Sequence, residues 1–364
     1  MEVIVALEKL AVSQPIVQDK IVKHLIDEAG PEAFFLISAF ASLGNPKTQI
    51  LSTTTLFNIS TLKNNHYNAI VNLKRINDFR RINQFLETIN EKLDDNGVFI
   101  GCCESLEIRR IRLLNKYPGF LNYLYLGVDY LFKRVIPKLP ITNKIYFALT
   151  AGRNRVISRA EVLGRLYANG FKVIHEQNIG YLFYFIAKKV SLPTFDPNPS
   201  YGVLFGMERT GLNRKNIRVF KFRTMYPYSE YLQQYIYERN NLENGGKFKD
   251  DFRITTTGRI MRKFWIDELP MLWNLLKSDL KLVGVRPLSK QYQSLYPHDL
   301  LMIRHNFKPG LIPPYYADLP RSFDQIIDSE RRYLESYCKN PLYTDWKYFW
   351  KAFVNIVFKS ARSK

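Results

Sequence analysis

The apolar pattern of the chain switches repeatedly between strand-like and helix-like periods. Tyr67 to Leu73 is a short apolar run of buried-strand type, and Phe79 to Leu93 carries Ile82, Phe85, Ile89 and Leu93 at helical spacing. Asn96-Gly97 then turns into a strand at Val98 to Cys102. A helix is predicted from about Arg159 to Asn169, stopped by Gly170, with strands at Phe171 to His175 and Tyr181 to Ala187 after it. This order predicts an α/β layer that closes with a hairpin. Three prolines among the ten residues Ser191 to Ser200 interrupt every surrounding period. That stretch predicts a linker, 191–200, between a first domain, 1–190, and a second, 201–364.

Beyond the linker, Ile217 to Met225 alternates with period two, so Lys221 and Arg223 are expected on one strand face with Val219, and Phe220 and Phe222 on the other. Two adjacent cations suit a diphosphate; a solvated edge strand blunted by charge fits the same pattern. A helix starting near Gly258 puts Arg259 and Arg262 on one face, in a first turn where the dipole disfavours cations. Either a bound anion or nearby carboxylates and solvent would answer that conflict. Asp267, Glu268 and Pro270 lead into an amphipathic helix with Leu269, Leu272, Trp273 and Leu276 as its expected buried stripe. Spacing alone reads Asp267 as the N-cap, Pro270 as a first-turn proline and Glu268 as favourable at the positive helix end. The apolar strand from Leu280 ends at Arg286-Pro287, where the proline restricts an arginine suited to bidentate phosphate contact.

Composition narrows the partners. With 46% apolar residues the chain can bury large cores, and its net charge of +20, spread over both halves, calls for an anionic partner. Nucleic acid, acidic lipid headgroups and phosphorylated substrates all qualify by charge. No helix-turn-helix, zinc or RNA-recognition signature is present, so no nucleic acid is expected. Cys102 and Cys103 are adjacent and Cys338 is distant, which fits neither a disulfide framework nor a zinc site and points to a reducing, cytoplasmic setting. The start MEVIVALEKLAV lacks the features of a signal peptide, and no uncharged apolar run nears the roughly 18 residues of a membrane span. Peripheral membrane contact stays open. The tail from Tyr343 to Lys364 and the segment from Phe120 to Arg134 both carry aromatic and aliphatic residues among lysines, a pattern of interfacial helices and equally of core-packing ones.

The run from Tyr67 through Asp94-Asp95-Asn96-Gly97 to Asn169-Gly170 and the closing strand at Tyr181 to Lys188 is similar to the later half of a Rossmann-like methyltransferase domain. Such a domain needs a glycine-rich turn after its first strand, and the candidate turn, Ala39 to Pro46, has one glycine. A structural or docking role is therefore expected of a degenerate Rossmann-like domain. The runs KFRTM, RITTTGRIMRK and DELPMLWNLLKSDLKLVGVRP, followed by Lys308-Pro309-Gly310, closely resemble the bacterial sugar transferase family over roughly residues 199–358. These are polyprenyl-phosphate sugar-1-phosphate transferases of the small monotopic phosphoglycosyl transferase type, which begin exopolysaccharide, capsule or other glycan assembly on a lipid carrier.

The resemblance implies an α/β two-domain protein whose second domain is a compact catalytic unit with interfacial helices, acting peripherally at the cytoplasmic face of the bacterial inner membrane. It implies a nucleotide diphosphosugar donor, UDP-linked by family habit, a polyprenyl (undecaprenyl) phosphate acceptor, and Mg²⁺. Asp267 would be the nucleophile and Glu268 the assisting base or magnesium partner, with Asp267 a further metal ligand. Lys221, Arg223, Arg259, Arg262 and Arg286 would neutralise the phosphates. The first domain would dock other glycan-assembly proteins. Three departures are visible in the sequence. The family's apolar membrane helix is replaced by the strand at Tyr181 to Lys188, its proline before the site arginine is Val285, and its segment after Lys308-Pro309-Gly310 becomes Leu311 to Arg321. That last segment is thought to shape donor choice. Tyr333, Asn340 and Asp345 stand where the C-terminal pattern has similar residues. A catalytically silent, membrane-peripheral scaffold is the alternative expectation, motivated by the lost anchor and opposed by the intact Asp267-Glu268 pair.

Overall fold

The structure, a computed structural model, describes residues 17–116, 118–139, 142–194, 201–239 and 251–358. The N-terminal MEVIVALEKLAV, residues 195–200 of the predicted linker and the last six residues of the tail lie outside them. The chain divides into two compact units. One comprises the described part of Met1–Asn198 with Pro227–Gln233, the other Pro199–Tyr226 with Gln234–Lys364.

The first unit is built on a five-stranded sheet in the order β1-β2-β3-β5-β4, formed by β1 (Thr48–Leu51), β2 (Tyr67–Arg75), β3 (Leu93–Cys103), β4 (Phe171–Ile179) and β5 (Leu182–Lys189). β1, β2 and β3 run parallel, and the β4–β5 hairpin adds antiparallel to β3. The α/β class and the terminal hairpin expected from the sequence are the observed ones. β2 is buried at almost every position because helices cover both faces of the sheet. The helix Pro31–Phe40 seals one face through Ala33, Leu36 and Ile37, packed on Val71, Ile100 and Ile186. On the other, the helix Ile82–Lys92 brings Phe85 within 5.8 Å of Phe99, which also meets Phe171 and Phe185. Leu93, expected on that helix, instead opens β3; the Asp94–Gly97 stretch is absorbed there as a register shift between the Leu93 and Val98 pairings. Buried arginines are matched by carboxylates: Glu104 meets Arg109 at 2.8 Å, Arg109 meets Asp129 at 2.7 Å, and Arg134 meets Glu161 at 2.7 Å.

The second unit has two small sheets. β6 (Leu204–Thr210) and β7 (Asn216–Phe222) form an antiparallel hairpin, and β8 (Lys281–Val283) pairs in parallel with β9 (Gly310–Ile312). The second pair is unusually close, because an added Cβ on Gly310 would sit 2.1 Å from the backbone nitrogen of Gly284. Tyr333, buried on the helix Phe323–Lys339, donates to the Val283 carbonyl at 3.2 Å and to Asp345 at 2.6 Å, while Lys281 pairs with Asp345 at 3.0 Å. These bonds tie the small parallel pair to the two long C-terminal helices, the second of which is Pro341–Phe358. Asn340 caps the junction by accepting from the Tyr343 N–H.

The predicted buried stripe of the helix after Asp267 is overturned. Leu269, Leu272, Trp273 and Leu276 are 52%, 45%, 55% and 78% exposed, while Met271 and Asn274 point inward. The helix is only Met271–Leu276, and its rotation is set by two interior anchors. Met271 packs with Ile217, Val219 and Leu280, and the Asn274 amide clamps β7 by donating to the Arg218 carbonyl at 2.7 Å and accepting from the Phe220 N–H at 3.0 Å. A fully buried amide with its backbone bonds made outweighs the apolar pattern on so short an element.

Candidate active site

Several segments of the second unit converge on one cavity of about 740 Å³, lined among others by Lys221, Arg259, Arg262, Asp267, Glu268 and Arg286. That size lies within the ~300–1,000 Å³ typical of small-molecule sites. Of the seven residues singled out in the sequence, Arg223 alone is not part of its wall. β7 ends at Phe222, so the alternation that would have kept Arg223 beside Lys221 stops there. Arg223 instead donates to the Gly202 carbonyl at 3.1 Å and its guanidinium lies 5.2 Å from the Phe205 ring centre.

The arginine helix is Thr256–Lys263, capped by Thr255, whose hydroxyl accepts from the Gly258 N–H at 2.8 Å. It starts two residues earlier than expected. Arg262 and Lys263 therefore fall in the last turn, where the dipole favours cations, and the argument that an anion must relieve a charge conflict at the helix start does not hold for them. Gly258 is buried against the backbone of Thr224, and an added Cβ would meet the Thr224 carbonyl oxygen at 2.1 Å. That close approach lets Arg262 donate to the Thr224 hydroxyl at 2.9 Å while its charge faces Asp267.

Between the arginine helix and Met271–Leu276 the chain makes a 3₁₀ turn, Ile266–Glu268, entered through Trp265 in the left-handed region at φ 60°. A bulky residue rarely adopts that conformation, and here the ring of Trp265, 4.5 Å from that of Tyr316, is part of what holds it. Asp267 thus caps no helix; it and Glu268 lie on the turn and line the cavity. Glu268 pairs with Lys221 at 2.5 Å. Burial, and then repulsion from Glu268, raise the Asp267 carboxyl above its ordinary range, opposed by Lys221 and Arg262.

Arg286, which lines the same cavity, is held by its backbone: its carbonyl accepts from the Arg304 guanidinium at 2.6 Å, and Arg304 is ion-paired with the fully buried Glu330. The guanidinium of Arg286 is kept charged, its pKa raised by the oxygen of Tyr315 against the cost of burial, with Tyr316 and Glu268 adding to the same effect. Leu311, Pro313, Tyr315 and Tyr316, from the segment that departs from the family pattern, also line the cavity.

Sequence reasoning missed four contributors. Arg209 lines the cavity together with Phe205 and Met207, a period-two signal on β6 that could have found it. Arg253 is buried and paired at 2.7 Å with Asp251, only two positions away, whereas Asn274 clamps β7 through the Arg218 carbonyl, 56 positions away, a contact that leaves no local pattern. Tyr292 is the fourth.

Among the described residues no group of three or more His, Cys, Asp or Glu could enclose a metal. The adjacent carboxylates, with the ionised form of Asp267 disfavoured by burial and then by its neighbour, are a hard oxygen donor set. They fit a Mg²⁺ ion completed by phosphate oxygens and water, not an all-protein cage.

Comparison with known proteins matches residues 181–359 to the family described as bacterial sugar transferase. The sugar transferase EpsL of Bacillus subtilis is 43% identical over 109 residues, 30% of this chain and 48% of that protein. The UDP-N-acetylgalactosamine-undecaprenyl-phosphate N-acetylgalactosaminephosphotransferase of Aeromonas hydrophila is 30% identical over 186 residues, 49% of this chain and 38% of that protein. The undecaprenyl-phosphate galactose phosphotransferase of Salmonella typhimurium is 34% identical over 168 residues, 44% and 32% of the two chains. The chain thus spans less than half the length of each of these relatives. A SAM-dependent methyltransferase of Thermotoga maritima aligns with 47% of this chain and 99% of its own, at 12% identity and a TM-score of 0.26, a likeness too distant to bear on this protein. The C-terminal half of the chain, residues 181–359, belongs to the bacterial sugar transferase family.

Proposed function

We propose that the second unit transfers a sugar-1-phosphate from a nucleotide diphosphosugar, UDP-linked by family habit, to a polyprenyl phosphate, and so begins glycan assembly. The observation that carries this reading is a pair of adjacent carboxylates in a cavity whose wall also carries Lys221, Arg259, Arg262 and Arg286, the arrangement a carboxylate nucleophile needs to approach a diphosphate. In the proposed reaction an Asp267 oxygen attacks the sugar-bearing phosphorus. The bond from that phosphorus to the nucleoside monophosphate breaks, and the leaving group takes the electron pair. An oxygen of the polyprenyl phosphate then attacks the same phosphorus, and the Asp267 carboxylate is released. Lys221, Arg262 and Arg286 neutralise the oxygens around these bonds. Glu268, braced by Lys221, steadies the turn that carries Asp267 and would assist as base. Asp267 and Glu268 would hold a Mg²⁺ ion, which when bound lowers the repulsion between the carboxylates and the phosphates.

Intact mass after incubation with Mg²⁺ and a panel of nucleotide diphosphosugars tests the reading. A gain of one sugar phosphate supports it. No gain with any donor, in detergent and with added lipid, favours a catalytically silent scaffold of a glycan-assembly complex.

The charge balance at Asp267 also fixes a pH dependence. The nucleophile must be ionised, so adduct formation rises with pH through the Asp267 pKa. Lys221 holds that pKa down. Replacing Lys221 with Met is expected to move the acid limb of single-turnover adduct formation to higher pH. An unmoved limb would remove Lys221 from this role.

No helix among the described residues is long and apolar enough to cross a membrane. Peripheral membrane contact is supported instead by apolar side chains exposed around the carboxylates, including Phe264, Leu272, Trp273 and Leu276, beside Lys263 and Lys277, and the cytoplasmic face is the one the family resemblance implies. The helix Pro341–Phe358 likewise exposes Trp346, Trp350, Phe353 and Val357. The Trp273→Glu, Leu276→Glu double variant is expected to bind phosphatidylglycerol vesicles at least about tenfold more weakly in sedimentation, since each side chain buries roughly 2 kcal/mol of apolar surface. Its adduct formation in detergent should be unchanged.

A further inference from the structure

The cavity holds more cations than its carboxylates can use, and the surplus is unevenly distributed. Lys221 is taken by Glu268, Arg253 by Asp251, and Arg262 faces Asp267 while bonding Thr224. Neither Arg209 nor Arg286 makes an ion pair with a carboxylate among the described residues, although the charge of Glu268 acts on Arg286. Arg209 donates only to the Glu208 carbonyl at 2.7 Å and the Met207 sulfur at 3.0 Å.

The backbone nevertheless fixes these two arginines as neighbours. The N–H of Thr210, next to Arg209, donates to the carbonyl of Leu288 at 3.1 Å, two residues after Arg286. The carbonyl of Arg286 is gripped by Arg304. Both side chains line the one cavity, and Arg209 loses basicity through burial and then through repulsion from Arg286. Two forks held together against their repulsion suit bidentate capture of a phosphate.

We propose that Arg209 and Arg286 form a phosphate subsite separate from the one beside Arg259 and Arg262, and that it takes the nucleoside-bearing phosphate of the donor. The reading rests on the reaction proposed above. The two subsites stand on different elements, Arg209 on β6 and Arg286 just after β8, against Arg259 and Arg262 on the helix Thr256–Lys263. The surroundings differ as well. Arg286 stands among Tyr292, Tyr315 and Tyr316, rings against which a nucleoside can stack, whereas the helix bearing Arg259 and Arg262 exposes Ile260 and is followed by exposed Phe264, an apolar flank suited to a lipid-linked phosphate.

The test titrates the full chain with uridine monophosphate, inorganic pyrophosphate and a water-soluble short-chain prenyl phosphate. The variants are Arg209→Gln, Arg209→Lys, Arg259→Gln and, as an equal change of charge at an exposed site outside the cavity, Lys215→Gln. Arg209→Gln is expected to weaken uridine monophosphate and pyrophosphate by roughly tenfold to a hundredfold, with prenyl phosphate changed less than twofold. Arg209→Lys should fall between, because it keeps the charge and loses the fork, and Lys215→Gln should bind as the wild type does. Arg259→Gln should show the opposite preference, weakening prenyl phosphate. Unchanged binding of both phosphate probes by Arg209→Gln, an equal loss in Lys215→Gln, a larger loss for prenyl phosphate than for the nucleotide, or no binding of any probe by the wild type would each overturn the subsite. The binding arms are independent of turnover. Wild type that forms no covalent adduct but binds pyrophosphate through Arg209 would sink the proposed reaction and leave the phosphate subsite standing.

Discussion

Asp267→Asn is expected to form no covalent adduct and to lower sugar-phosphate transfer by roughly 10³-fold or more, the scale on which enzymes lose activity when a nucleophile is removed. The substitution preserves shape and removes only the attacking oxygen's charge, so its effect separates nucleophilic chemistry from mere filling of the cavity. The stability change should have the opposite sign. Asp267 has a folded-state pKa above its unfolded value, because burial and then Glu268 disfavour its ionised form. An acid with a raised folded pKa costs stability once the pH exceeds the unfolded value of about 3.9, and at neutral pH that cost is fully present. Neutral Asn removes it. The variant should therefore melt at or slightly above the wild-type temperature while forming no adduct. A variant that still exchanges nucleoside monophosphate into the donor would show that another group attacks phosphorus.

Glu330→Ala is expected to lower the stability of the second unit by about 3–5 kcal/mol, the usual cost of stripping one partner from a buried ion pair. Glu330 is fully buried and Arg304 is 6% exposed, so the stranded guanidinium cannot recover its hydration without local opening. For a unit of this size the loss corresponds to a melting shift of roughly 10 °C, measurable by calorimetry on the full chain. The consequence should reach the site, because Arg304 also holds the Arg286 carbonyl. Donor affinity should fall with the melting temperature. Glu330→Gln, which keeps the volume and a hydrogen-bonding group, should recover part of both. A melting temperature unchanged by Glu330→Ala would mean that Arg304 needs no carboxylate to stay buried.

The alternation of strands and helices in the first unit was legible because a sheet covered on both faces must bury nearly every residue of its central strands, and a run such as Tyr67 to Leu73 can meet that demand in few other ways. The charged residues of the second unit were legible through the family resemblance, since spacing alone read Asp267 as a helix cap: Asp267, Glu268, Lys221, Arg262 and Arg286 do line one cavity. The pattern failed where an element is short. Over the six residues from Met271 to Leu276, a helix rotates to satisfy one buried amide, and the apolar side chains it would otherwise bury face outward. It failed again at Arg223, because a period of two says nothing about where a strand ends.

The amino-acid sequence by itself determined the class of the fold, which depends on period, and the family of its C-terminal half, which rests on the order of its motifs. Only the tertiary structure decided which cations are already neutralised and which remain for a ligand. Ion pairing is a contact between residues far apart in the chain: Lys221 meets Glu268 across 47 positions, and Arg304 reaches Glu330 from a different helix. No local pattern records such a meeting, because it is the packing of the unit as a whole that brings the two charges together out of water.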